Sequence, residues 1–93
     1  MPKRHIAFSV NALADLEEID AYLSKHKPAA AARVLASIEY VISFLPDHPL
    51  MGVANHDGEG RLLVEPRYRY VIAYMLTDEL IEIRYIFDPK QDR

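Results

Sequence analysis

A chain of 93 residues, 51% hydrophobic and 27% charged, has room for one domain with one modest core. Its formal charge of −3 argues against a general grip on nucleic-acid backbone. The lack of cysteine excludes disulfides, thiolate catalysis and cysteine-based zinc sites, and fits a reducing compartment.

No apolar run approaches the ~20 residues of a membrane span, and MPKRHIAFSV lacks the ~7–15-residue apolar stretch of a signal peptide. The expectation is a cytoplasmic protein without membrane contact, one domain over residues 1–93.

Arg4–Phe8 alternates weakly and reads as a short strand. Ser9 or Asn11 then offers a helix cap. The helix that follows carries Ala12, Leu16, Ile19 and Leu23 on one stripe, widened by Leu13 and Tyr22. Asp15, Glu17, Glu18 and Asp20 read as its solvated acidic face. Pro28 opens a second helix, with a stripe of Val34, Leu35, Ile38, Val41, Ile42 and Leu45, ended by Pro46 and Pro49. Joined by so few residues, helices over about residues 10–26 and 28–45 should form an antiparallel hairpin. Leu50–Gly60 reads as a loop broken by glycines.

The stretch RLLVEPRYRYVIAYMLTDELIEIRYIFD from Arg61 to Asp88 is rich in Tyr, Val and Ile, as a partly buried sheet requires. Pro66 sets Arg61–Val64 apart as one strand before a bend at Glu65–Arg67. Thr77-Asp78-Glu79 is short enough for a hairpin loop, so Tyr70–Leu76 and Leu80–Phe87 should pair antiparallel. Strict alternation along Leu80–Phe87 puts Ile81, Ile83, Tyr85 and Phe87 on the core face and Glu82, Arg84 and Ile86 on the other. The expected fold is α+β: an N-terminal strand, then a two-helix hairpin packed on one face of a small antiparallel sheet, in the order β-α-α-β-β-β.

Little in this pattern suggests local chemistry. The four histidines show no metal-ligand spacing, and Asp57-Gly58-Glu59-Gly60 lacks the lysine and following helix of a phosphate loop. No metal or cofactor is expected, and no local nucleophile–histidine–acid set stands out. Arg61, Arg67, Arg69 and Arg84 read first as cross-strand partners of Glu65, Glu79 and Glu82. The sharper reading makes them a recognition patch on the open sheet face.

The first helix carries Ala12-x-x-Asp15-Leu16-x-x-Ile19-x-x-Tyr22, and the second Ala32, Ile38 and Leu45, followed by Pro49-x-x-Gly52. Then come Arg61-Leu62-Leu63-Val64, Tyr70-Val71-Ile72-Ala73-Tyr74 and Ile83-Arg84-Tyr85-Ile86. In order and spacing these resemble the RelE/ParE superfamily of toxins from type II toxin–antitoxin systems, over nearly the whole chain. RelE-like members are ribosome-dependent mRNA endonucleases that need positive charge around the scissile phosphate. The stretch near the end of the sheet departs from the ParE signature, with Phe87 where histidine is common. Val71, however, stands where RelE-like members tend to carry arginine, no basic segment follows Lys90, and the overall charge is acidic.

The resemblance therefore implies the ParE-like branch: a non-enzymatic toxin that inhibits DNA gyrase and is neutralised by a cognate, ParD-like antitoxin. No sequence-specific nucleic-acid binding by the toxin alone is expected. Arg84, Lys90, Arg93 and Arg61 are the expected target contacts, and Leu13, Leu16, Tyr22, Arg69 and Tyr74 the expected antitoxin contacts. A RelE-like nuclease and a non-toxic antitoxin-binding relative are the alternatives.

Overall fold

A computed structural model describes residues 3–56 and 60–90. Seven elements follow in order: β1 (His5–Phe8), α1 (Val10–His26), α2 (Pro28–Ile42), β2 (Val53–Ala54), β3 (Arg61–Val64), β4 (Val71–Leu76) and β5 (Leu80–Phe87). The strands form one sheet in the order β1-β5-β4-β3-β2. Both helices lie on one of its faces, as expected. Among the described residues no helix is long and apolar enough to cross a membrane.

The sheet is mixed rather than purely antiparallel. β3, β4 and β5 make the expected antiparallel meander, but β1 pairs parallel to β5, from His5 opposite Leu80 to Phe8 opposite Ile83. The helical hairpin, β2, β3 and β4 intervene in the chain between these two neighbouring strands. β2 is a second departure, a two-residue strand inside the expected loop that pairs with Leu62 and Arg61.

The local reasons for the helices are as the sequence suggested. Ser9 caps α1, its hydroxyl accepting from the Ala12 N–H at 3.0 Å, and Pro28 stands in the first turn of α2. Val34, Ile38, Val41 and Ile42 of α2 are buried in one core cluster with Leu63, Ile72, Ile81 and Ile83 of the sheet. Each such apolar side chain contributes about 1.5–3 kcal/mol on burial.

The strict alternation expected along β5 fails at Arg84. Tyr74 faces Ile83 while the next pair is Ala73 with Tyr85, so Arg84 is an extra, bulged residue. Past the bulge the side chains change face. Ile86 is buried with Ile81 and Ile83, and Tyr85 is 46% exposed on the far side, the reverse of the expectation.

Where β1 ends, α1 takes over the edge of β5. Ser9 donates its N–H to the Ile83 carbonyl (2.9 Å) and its hydroxyl to the Arg84 carbonyl (2.8 Å). The Ile86 N–H donates to the Asp15 carboxylate at 2.9 Å. Asp15 is therefore not part of a solvated acidic face; it pairs an edge donor that the short β1 cannot reach.

Candidate functional site

The sheet face away from the helices carries a concave surface. Leu62, Ala73, Tyr85 and Phe87, rimmed by Asp15 and Asn55, line a shallow depression of about 450 Å³. Arg84 lies on this face: its Nε is 3.7 Å from Glu82, and one terminal nitrogen is 3.7 Å from the Met75 sulfur. Both members of that ion pair are 43% exposed, so it adds little to stability.

A smaller hollow of about 260 Å³ brings Arg61 and Arg84 to one rim, beside Asn55 and Tyr85. Arg61 is already engaged, however. It sits opposite Tyr74, and its guanidinium donates to the Gly52 (2.8 Å) and Leu50 (3.3 Å) carbonyls. Tyr74, 1% exposed, completes this strap by donating to the Pro49 carbonyl (2.8 Å) and accepting from the Gly52 N–H (2.9 Å). Only glycine fits at position 52, where a Cβ would come within 2.7 Å of the Leu62 carbonyl oxygen and 2.9 Å of the Tyr74 ring. Pro49-x-x-Gly52 and the second tyrosine of Tyr70-Val71-Ile72-Ala73-Tyr74 are thus two halves of one clamp.

Glu65 is the least expected feature. Its side chain is fully buried, yet among the described residues no arginine side chain pairs with it. Instead one carboxylate oxygen accepts from the Tyr68 (2.6 Å) and Arg69 (3.1 Å) N–H groups, and the other from the Ser37 hydroxyl (2.6 Å) and the Arg67 N–H (2.8 Å). Burial pushes its pKa up, but the bonds from Ser37, Tyr68, Arg67 and Arg69 outweigh this and hold it below the usual glutamate range. The turn between β3 and β4 is so fixed to α2, with Arg69 at φ 71°. The sequence signal was a single carboxylate between an apolar strand and Pro66.

The expected contact residues are dispersed. Arg84 lies on the open face, and Lys90, exposed, lies past the end of β5 with its N–H on the Asp88 carboxylate (2.9 Å). Arg93 falls outside the described residues. On α1, Leu13 and Tyr22 are about half exposed, at 51% and 50%, whereas Leu16 packs against the core. Arg69 is exposed in the β3–β4 turn. Tyr74 is buried, with its hydroxyl engaged by the Pro49 carbonyl.

A sequence model of the family described as "ParE toxin of type II toxin-antitoxin system, parDE" matches residues 6–93. The chain belongs to this ParE toxin family. It is also 34% identical over 80 residues to the protein named "Putative toxin Y4kP" of Sinorhizobium fredii (strain NBRC 101917 / NGR234), covering 86% of this chain and 83% of that one.

Among solved structures the ParE fold recurs in the chromosomal ParDE TA system from P. aeruginosa, with TM-score 0.83 and 18% identity over 92% of this chain and 96% of that one. YafQ from E. coli strain BL21(DE3) is similar at TM-score 0.60 and 16% identity, over 94% of each chain. At these identities the likeness is one of fold. Within this ParE-family chain the half-buried Asp15 and the buried Glu65 and Tyr74 carry the architecture.

Proposed function

We propose that this ParE-family toxin acts by binding DNA gyrase and stabilising its cleavage complex with DNA, and that a cognate antitoxin silences it. The observation that carries this reading is the chemistry of the open sheet face. Leu62, Ala73, Tyr85 and Phe87 give it an apolar floor, and its arginine, Arg84, lies beside Glu82. Cutting RNA calls for several cationic groups around a phosphate and for proton-transfer partners. An apolar floor suits protein contact instead.

Arg84 and Lys90 remain the described residues assigned to the target, and Arg93 is kept with them on the sequence alone. Arg61 drops to a structural role, since two carbonyls hold its guanidinium. The antitoxin is assigned a segment that orders on the toxin, lying across the half-exposed Leu13 and Tyr22 of α1 and the apolar depression beside Asp15. Two neighbouring structures, described as a ParDE TA system and a DinJ-YafQ toxin-antitoxin complex, support the pairing of this fold with an antitoxin.

The nuclease reading draws on one observation, the adjacency of Arg84 and Tyr85 on the open face. Induction of the chain in cells without its antitoxin separates the two. The proposal expects growth arrest with a DNA-damage response while translation continues. Early translation arrest with codon-phased mRNA ends would overturn it.

A further inference from the structure

The β3–β4 turn has more structure than joining two strands requires. A fully buried carboxylate is costly unless several donors converge on it, and Glu65 has the Ser37 hydroxyl and three backbone N–H groups. Two backbone bonds close the same turn, Glu65 N–H to the Tyr70 carbonyl (2.8 Å) and Arg69 N–H to the Glu65 carbonyl (2.9 Å). Within it Arg69 holds a left-handed backbone at φ 71°, a conformation that costs any residue with a Cβ. Such investment in a surface turn points to what the turn displays.

It displays two arginines. Arg67 and Arg69 are both exposed, and neither makes an ion pair among the described residues. Arg67 lies 5.7 Å over the Tyr68 ring, which restricts its stem. Arg33 stands four residues before Ser37 on α2, so helical geometry puts it one turn from the buried carboxylate. Lys90 belongs to the same end of the sheet, because Val71, just after the turn, pairs with Phe87. Asp88 stands at this end too, its carboxylate accepting from the Lys90 N–H.

We infer that the Arg67–Arg69 turn, preset by Glu65, is a docking point for a short acidic segment of a protein partner, separate from the open sheet face. Planar guanidinium groups held in fixed geometry grip carboxylates with little further ordering. A protein segment fits better than nucleic acid. The basic surface is small and the chain is net negative, which disfavours a long polyanion.

The test is a titration of the isotope-labelled full chain with a glutamate-rich decapeptide, followed by amide NMR shifts. Saturable, salt-sensitive shifts confined to the turn and Lys90 are expected, with affinity about tenfold weaker in Arg67→Ala/Arg69→Ala. Arg67→Ala alone, at an exposed position, guards against loss of folding in the double variant. The same shifts should persist in the toxin–antitoxin complex. Shifts scattered over the surface, shifts unchanged in the variants, or loss of binding once antitoxin is bound would each overturn the inference. So would a DNA oligonucleotide moving the same amides at lower concentration than the peptide.

Discussion

Replacing Glu65 with alanine removes a buried acceptor of four hydrogen bonds, three of them from backbone groups. Bonds to a charged group each contribute about 1.5–3 kcal/mol, but their sum is offset by the carboxylate's own desolvation cost. The Arg67 and Arg69 N–H groups belong to exposed residues and can find water after the change. A loss of about 3–5 kcal/mol is the balance expected, and for a domain of this size it lowers the melting temperature by at least about 12 °C. Glu65→Gln keeps the shape but turns an NH₂ toward a backbone donor, at a cost of about 1–3 kcal/mol.

Acid supplies an independent check on Glu65. Because the folded pKa is depressed, its stabilising contribution is present above the ordinary glutamate value of 4.5 and lost as pH falls through the folded value. The stability gap between wild type and Glu65→Gln should therefore shrink in acid. Thermal and urea unfolding between about pH 7 and pH 3 measure it. A gap that stays constant over that range, or an alanine variant melting within about 4 °C of wild type, would refute the role given to Glu65.

Ile38→Ala and Ile83→Ala, both at fully buried positions, should each cost about 2–5 kcal/mol in urea unfolding. Asp15→Ala leaves the Ile86 N–H without its partner and should cost about 1–3 kcal/mol, with amide exchange accelerated first at Ile86. Cognate antitoxin at a hundredfold excess over its Kd should stabilise the chain by about 2.7 kcal/mol; an unchanged melting temperature would remove the proposed complex.

Most of the fold was legible because its elements follow simple periods. The α2 stripe of Val34, Ile38, Val41 and Ile42 is buried as its spacing implies, and the β4–β5 hairpin forms around Thr77-Asp78-Glu79. Three features lay beyond periodicity. The Arg84 bulge moved Tyr85 and Ile86 to opposite faces, since one extra residue reverses every side chain after it. The parallel β1–β5 pairing joins residues at opposite ends of the chain, and nothing local encodes it. Asp15 and Glu65 look like surface carboxylates in sequence because their partners are backbone N–H groups, which every residue other than proline carries. The expected contact residues divided along the same line: Leu13, Tyr22, Arg69 and Lys90 are exposed, while Arg61 and Tyr74 are held by carbonyls of the 49–52 loop.

Gyrase is the proposed target. Supercoiling of relaxed plasmid by purified gyrase, with the purified chain added, tests it most directly. Loss of supercoiling with accumulation of cleaved, protein-linked DNA is expected, both reversed by cognate antitoxin and weakened by Arg84→Ala. Undisturbed supercoiling at toxin concentrations that arrest growth would contradict it.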